Sequence, residues 1–331
     1  MRYARIGGQA VIEGVMMRFG DDYAVAVRKP DHTIEVKTEK YKSLVSRLHV
    51  SRIPILRGMF AFIDSMVLGM STLTYSASFY DDEEDEGSGE AAGAENDGGK
   101  TAGTEDKSSG KTAGAESGNS KKEDKAFGFM MGLTVIISIA AAIFIFMLIP
   151  YFISNLFGKL IANSFVLTVI EGVIRIAIFL LYMIAISRMK DIQRVFMYHG
   201  AEHKTISCIE SGMELTPENA AKCSRLHKRC GTSFLLIVMI VSIVCFMFIT
   251  TDSRVMRLVL RLILIPVIAG ISYEIIQFAG RHESKLMDAL SAPGLMLQKY
   301  LTTRDPDESM LEVAIASIEA VYDWREFQRS Q

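Results

Sequence analysis

Long apolar stretches separated by polar segments dominate the hydropathy pattern of the second half of the chain. Four such stretches occupy residues 129–150, 164–187, 233–250 and 256–279. A helix of about 20 apolar residues crosses the hydrocarbon core of a bilayer. The pattern therefore predicts four transmembrane helices.

The first 52 residues have a different pattern, in which short apolar runs alternate with polar ones. Residues 23–28 and 33–38 read as strands, and residues 30–32 between them (Pro-Asp-His) supply turn chemistry. We therefore predict a small β-rich domain over residues 1–52, with a hairpin at this turn.

Residues 53–80 are apolar but interrupted by Arg57 and Asp64. A spanning helix here would place the basic first domain on the outer side, against the positive-inside rule. We interpret this segment as an interfacial or re-entrant helix.

Residues 81–126 contain no aromatic residue and carry 14 acidic side chains against 6 lysines. A segment of this composition buries too little apolar area to offset its ordering entropy, so we predict a disordered acidic linker. The C-terminal tail, in contrast, contains a helix start at Asp305, with Pro306 in the first helical position.

These patterns together predict an α-helical polytopic membrane protein with about four transmembrane helices, a small N-terminal β-containing cytoplasmic domain and a helical C-terminal tail. The predicted segments are a β-rich domain (1–52), an interfacial helix (53–80), a linker (81–126), transmembrane helices 1 and 2 (127–187), a cytoplasmic His/Cys loop (188–232), transmembrane helices 3 and 4 (233–280) and a cytoplasmic helical tail (281–331).

Charge in the loops orients the predicted spans. The 188–232 loop holds eight lysines and arginines, whereas the alternate loops hold only Lys159 and Arg254. Basic loops stay on the cytoplasmic side, so both termini are expected there. Four cysteines without a disulfide-type framework agree with a reducing compartment, and the N-terminus shows no signal peptide. Nothing indicates nucleic-acid binding, and an oligomer is compatible with the sequence.

Candidate metal chemistry is concentrated in the 188–232 loop. His199 and His203 are four residues apart, so on a helix both imidazoles lie on one face and reach one cation. Imidazole nitrogen suits Zn²⁺ or another divalent first-row metal. Glu202 directly precedes the second histidine and is a candidate general base for a metal-bound water.

His227 and Cys230 follow and offer two further ligands. All four side chains together would make a closed structural site. Three of them, with Glu202 left free, would make a catalytic site that keeps one position open for water. The sequence leaves both alternatives open.

Carboxylates elsewhere are weaker candidates. Glu274, near the cytoplasmic end of the fourth predicted span, and Glu13 in an apolar N-terminal run are candidate catalytic or ligand-supporting residues. Glu171 and Arg175 lie within the second span at helical spacing and are expected to pair. Glu210 reads as a solvated surface acid.

Several strings carry a resemblance to a known family: GGQAVIEGVMMR (7–18), YHGAEHKT (198–205), HKRCGTSF (227–234), IPVIAGISYE (265–274) and PGLMLQ (293–298). They resemble the YqhQ-like bacterial membrane family, a domain of unknown function described as predicted metal-dependent enzymes. Lys228 stands where the family pattern has proline, which leaves the candidate ligands untouched. The resemblance implies a bacterial integral membrane protein with a suspected metal and no established substrate.

From these features we expect a multi-pass protein of the bacterial inner membrane. The leading function is a metal-dependent enzyme, a hydrolase that acts at the cytoplasmic face on a lipid-linked or membrane-protein substrate. One rival is a membrane metalloprotease of the H-x-x-E-H type with Glu274 as the third ligand. The other is a non-enzymatic assembly or scaffold protein in which a structural zinc holds a loop.

Overall fold

The computed structural model describes residues 3–80, 133–134, 136–161, 163–249, 251, 253–281 and 284–330. The predicted linker 81–126 lies outside these residues. Within them the chain is mainly helical, with one four-stranded sheet at its N-terminus.

The sheet is an antiparallel meander in which each strand pairs with the next. Its strands are β1 (Ile6–Val11), β2 (Gly14–Phe19), β3 (Asp22–Arg28) and β4 (Ile34–Lys40). The β3–β4 pairing, with Ala26 opposite Val36, confirms the predicted hairpin. The apolar run around Glu13 forms a second hairpin, and Glu13 occupies its turn with a φ of 48°.

Besides residues 133–134 and 136–143, which are helical and lead through a π-helical turn into α3, eleven α-helices follow in the described residues. They are α1 (Leu44–Arg47), α2 (Leu56–Ala77), α3 (Ile149–Leu156), α4 (Ser164–Ile186), α5 (Lys190–Glu210), α6 (Pro217–Lys222), α7 (Gly231–Met247), α8 (Arg254–Arg281), α9 (Lys285–Leu297), α10 (Glu308–Glu319) and α11 (Trp324–Arg329). Wider π-helical turns at Phe144–Leu148 and Gln298–Thr302 adjoin α3 and α9. The segment predicted as the His/Cys loop is therefore largely helical.

Four described helices are long and apolar enough to cross a membrane: Leu56–Ala77, Ile136–Leu156, Phe165–Ile186 and Val255–Gly280. The sequence also predicts four membrane-spanning helices, but they are not the same four. The third predicted span is the shorter apolar helix Gly231–Met247, whereas α2 meets the requirements of a span. These helices are compatible with a multi-pass membrane protein.

Two glycines let α2 lie directly against α8. A Cβ added at Gly58 would sit 2.7 Å from the Gly270 carbonyl oxygen, and one at Gly270 would sit 2.4 Å from the Ile55 oxygen. Small residues at such a crossing allow the two backbones to approach closely. Asp64 of α2 is buried and accepts the Leu44 amide and the Tyr41 hydroxyl. The polar residues that interrupt the apolar pattern of α2 therefore face protein.

The sheet, α5 and α10 share one hydrophobic core. Fully buried side chains from each element meet there: Val15 and Met17 from β2, Tyr198 and Ile209 from α5, and Leu311 and Ile318 from α10. A hydrogen bond from Ser317 Oγ to the Ala24 carbonyl, 3.0 Å long, adds a link between α10 and the sheet. This shared core holds α5, the helix that carries the two candidate histidines, in place.

The helix start in the tail differs from the prediction by two residues. Asp307, not Asp305, caps α10, and its side chain accepts the Met310 amide at 2.9 Å. Asp305 instead approaches Lys204 and Arg225 at 3.4 and 3.3 Å. Pro306 therefore precedes the capping residue and does not occupy the first helical position.

Candidate metal centre

The two histidines of α5 lie on one face of the helix, as their spacing predicts. Their ring centroids are 4.4 Å apart. Gly200 between them faces the chain that enters α10, and a Cβ there would lie 2.0 Å from the Arg304 carbonyl oxygen. A glycine is required at this position because a backbone carbonyl occupies the space of a side chain.

Backbone carbonyls orient both imidazoles. His199 Nδ1 lies 2.8 Å from the Thr302 oxygen, and His203 Nδ1 lies 2.6 Å from the Arg225 oxygen. A nitrogen that faces a carbonyl carries the proton, so the Nε2 atom of each neutral ring has a free lone pair. Histidines that bind metals are held by this kind of hydrogen bond.

Cys230 completes a group of three. Its Sγ lies 3.2 Å from His199 Nε2, and one donor atom from each of His199, His203 and Cys230 lies within 4.8 Å of the others. Cys230 is the N-cap of α7 and accepts the Thr232 amide at 3.4 Å. The positive end of the helix dipole therefore faces the sulfur and favours the thiolate.

Burial and the neighbouring charges shift the pKa values of Cys230 and His199 in opposite directions. Burial raises the pKa of the Cys230 thiol, but the His199 and His203 imidazoles outweigh burial and hold that pKa well below its usual range. Burial lowers the pKa of His199, but the Cys230 thiolate, its hydrogen bond and Glu202 outweigh burial and raise this pKa to about 9. These directions predict an imidazolium beside a thiolate in the metal-free pair.

The buried amide of Gln298 holds the loop that delivers Cys230. Its oxygen accepts the His227 amide at 2.9 Å, and its nitrogen donates to the His227 carbonyl at 2.9 Å and to Ser233 Oγ at 3.0 Å. Gln298 and Thr302 belong to the same π-helical turn, which therefore supports both the cysteine and His199. Sequence reasoning did not find Gln298; a glutamine at the end of an apolar helix was the available signal.

His227 lies beside the group but outside it. Its ring centroid is 5.6 Å from that of His203, and its Nε2 is 3.5 Å from Glu210 Oε2. Glu210 also accepts the Ala4 amide at 2.9 Å and pairs with Arg229. The interpretation of Glu210 as a solvated acid was wrong, because its side chain is only 11% exposed. Burial raises the pKa of Glu210, but His227 and Arg229 outweigh it and lower this pKa.

Glu202 is buried next to the candidate ligands. Its carboxyl carbon faces Gly8 of β1, where a Cβ would lie 3.0 Å away, and its charge acts on His199. Among the described residues its carboxylate forms no hydrogen bond or ion pair.

The other two candidate carboxylates are engaged elsewhere. Glu13 pairs with Arg194 and accepts the Tyr198 hydroxyl at 3.2 Å. Glu274 accepts Arg57 Nε at 3.1 Å and so links α8 to α2. The structure does not bring Glu13 or Glu274 into the group formed by His199, His203 and Cys230.

The fold and the site define a class: a mainly helical chain, compatible with a multi-pass membrane protein, that brings two histidines and a cysteine together in one group. The chain belongs to the family described as a protein of unknown function, DUF1385, whose model matches residues 53–324. It is 34% identical over 318 residues to the uncharacterized protein YqhQ of Bacillus subtilis (strain 168), covering 94% of this chain and 90% of that protein. No solved structure matches.

These comparisons confirm the resemblance to YqhQ. Neither description names an activity or a metal. The metal-dependent chemistry that the resemblance implied therefore depends on the residues of the site alone.

Proposed function

We propose that this protein is a metal-dependent membrane enzyme, a hydrolase in which His199, His203 and Cys230 hold Zn²⁺ or another divalent first-row ion. The supporting observation is the donor set: two imidazole nitrogens and one sulfur within 4.8 Å, with both rings held through Nδ1. Three protein ligands are the number that catalytic zinc sites use, because the fourth position is kept for water. Bound there, the ion would lower the pKa of that water.

Glu202 supplies the second part of the proposal. Its side chain is 6% exposed, and its charge acts on His199. With an ion bound, the Glu202 carboxylate would accept the proton of the water and would return it to the leaving group. The apolar helices next to the site favour a lipid-linked or membrane-protein substrate at the cytoplasmic face of the inner membrane.

The second candidate is a scaffold in which the ion holds α5 to the first turn of α7. The proximity of His227 favours it, because a ring 5.6 Å from His203 needs only a modest shift to become the fourth ligand. The metalloprotease alternative has less support. It assigns the third position to Glu274, which pairs with Arg57, while Cys230 is beside the histidines.

The test measures metal content, melting temperature and rescue of a deletion strain in the same variants. Glu202→Gln keeps the side-chain volume, so metal content and melting temperature should remain near wild type while rescue of a deletion strain fails. A general base contributes about 10²–10⁴-fold in rate. Glu214→Gln, an exposed glutamate near the same segment, is the matched control and should rescue fully. Full rescue by Glu202→Gln would favour the scaffold.

The variant His227→Ala distinguishes the enzyme from the scaffold by a second measurement, the coordination of the ion. In the enzyme, X-ray absorption of the zinc-loaded protein should show two imidazoles, one sulfur and one water oxygen in both wild type and variant. In the scaffold, the wild type should show three imidazoles, and the variant should lose one. Absence of stoichiometric metal from wild-type protein loaded with zinc would contradict both candidates.

A further inference from the structure

The apolar face of α9 points away from the protein. The residues that α9 and its π-helical turn bury are spaced three or four apart and are mostly small or polar: Met287, Ser291, Gly294 and Gln298. The opposite face exposes an apolar stripe: Leu286, Ala289, Pro293, Met296 and Tyr300. Leu286, Met296 and Tyr300 are 72%, 60% and 68% exposed. A helix at the surface of a soluble protein has the reverse arrangement.

The buried face of α9 has the composition of a helix contact in lipid. A Cβ added at Gly294 would lie 2.4 Å from Ser233 Oγ, so the backbone of α9 lies directly on α7. Gln298 Nε2 donates to the same Ser233 Oγ at 3.0 Å. Lipid tails are as apolar as leucine, so helices in a membrane associate through close backbone approach and hydrogen bonds between helices. Both faces of α9 therefore indicate a lipid surrounding.

The direction of α9 follows from its contacts with one short segment. Three points along it contact residues 227–233: Asp288, Gly294 and Gln298. Asp288, near the start of α9, pairs with Lys228 at 2.7 Å. A helix of 13 residues is about 20 Å long, yet all three contacts are with the loop before α7 and the first turn of α7. The helix α9 therefore lies across the end of α7 and not along it.

The same segment lies level with the end of a candidate membrane span. Gly280 is the last residue of the span in α8, and a Cβ there would lie 2.5 Å from Arg229 Cγ. The last turn of that span exposes Phe278, which is 55% exposed. The apolar stripe of α9 therefore lies at the level where the apolar surface of α8 ends.

Charged and aromatic side chains stand at the ends of the stripe. Lys285 begins α9 and Lys299 follows it, and both are exposed. Tyr300 at the far end has an apolar ring and a polar hydroxyl, a combination that is enriched where lipid meets water. An apolar stripe bordered by lysines is the pattern of a helix that lies in the plane of the membrane interface.

We propose that α9 is an interfacial helix that binds the anionic lipid surface of the cytoplasmic leaflet. Its apolar stripe lies against the acyl chains, and Lys285 and Lys299 lie at the lipid phosphates. The inference rests on the membrane location in the proposed function and not on the hydrolysis.

The π-helical turn after α9 joins this lipid surface to the metal centre. Gln298 holds the loop that delivers Cys230, and the Thr302 carbonyl lies 2.8 Å from His199 Nδ1. Tyr300 is between these two residues on the same turn. Lipid at Tyr300 therefore places the metal centre beside the headgroups, where a lipid-linked substrate presents its polar end.

The first experiment measures the depth of α9 in nanodiscs that hold the full-length protein. The chain has one tryptophan, Trp324, which is buried, so wild type gives the baseline fluorescence. Met296→Trp places a second tryptophan on the stripe. We expect strong quenching by phosphatidylcholine brominated near the glycerol end of its chains, weaker quenching by bromine near the methyl end, and little by iodide in water. Lys222→Trp, at an exposed position of α6, is the control and should be quenched by iodide alone.

Three results would overturn the proposal. Iodide quenching of Met296→Trp as strong as that of Lys222→Trp would mean that the stripe faces water. Strongest quenching by bromine near the methyl end would mean that α9 lies deep in the bilayer. Quenching by neither agent would mean that protein, such as a second copy of the chain, covers the stripe. Met296 is exposed, so the variant should fold, and Leu286→Trp repeats the measurement at the other end of the stripe.

The second experiment tests the charge of the lipid. Native mass spectrometry counts the lipids retained from nanodiscs that mix phosphatidylglycerol with phosphatidylcholine. The preference for phosphatidylglycerol should fall about fivefold for each lysine replaced in Lys285→Gln/Lys299→Gln, and it should not change in Lys222→Gln. An equal preference in the double variant and in wild type would overturn the anionic surface as the partner.

Zinc content, measured on the same samples, separates this inference from the proposed function. Quenching of Met296→Trp by lipid in protein that binds no zinc would support the interfacial helix and contradict the enzyme. Quenching by iodide in protein that binds zinc would overturn the interfacial helix and leave the enzyme standing.

Discussion

Ionisation of the metal-free site gives the sharpest prediction. Because the neighbouring imidazoles outweigh burial, Cys230 should be a thiolate at pH 7 before any metal binds. His199 should carry the matching proton, since its pKa is raised to about 9. Metal binding then takes its proton from an imidazole and not from a thiol.

The magnitude follows from the raised pKa. At pH 7 a group with a pKa of about 9 is neutral in about one molecule in a hundred. Metal must displace that proton, so apparent zinc affinity should rise about tenfold per pH unit from 7 to 9 and then level off. The total gain is about a hundredfold.

Two measurements check the reasoning. The ultraviolet absorbance of thiolate in metal-free protein should show one thiolate at pH 7, absent in Cys230→Ser and unchanged in Cys208→Ser. Burial, together with Cys223, raises the pKa of Cys208 to about 12, so that cysteine does not contribute. Zinc titration calorimetry in buffers of different ionisation enthalpy should then count about one proton released. A metal-free protein without thiolate absorbance at pH 7 would refute the ion-pair assignment.

Three further predictions concern positioning and topology. Gly200→Ala places a Cβ 2.0 Å from the Arg304 oxygen and should lower the free energy of unfolding by about 1–3 kcal/mol. Gly231→Ala is the control, because a Cβ there meets open space, and it should be near neutral. Thermal denaturation measures both variants. Gln298→Leu leaves the partly buried His227 amide unpaired and should lower both melting temperature and zinc affinity. Unchanged zinc affinity would remove Gln298 from the support of the site. In cysteine-labelling of intact cells, Gly158→Cys should react with an impermeant reagent and Asn219→Cys should not, and the reverse pattern would invert the orientation.

Signals within short stretches of the sequence determined several elements of the fold and one relation within the site. Apolar length predicts three of the four described helices that are compatible with membrane spans, and turn residues between alternating runs predict the β3–β4 hairpin. The four-residue spacing places His199 and His203 on one face, since helix geometry alone fixes that relation. These features depend on near neighbours in the chain, and such relations survive in any tertiary arrangement.

Tertiary structure decided which distant residues meet. Cys230 lies 3.2 Å from His199, while His227, three residues away in sequence, is turned toward Glu210. The supporting carbonyl of Thr302 comes from more than a hundred residues along the chain. Spacing in the sequence could not rank Cys230 above His227 as a ligand. The Gln298 amide holds the backbone of the loop, and the Glu210 carboxylate faces the His227 ring. Both groups reach the loop only when the helices pack.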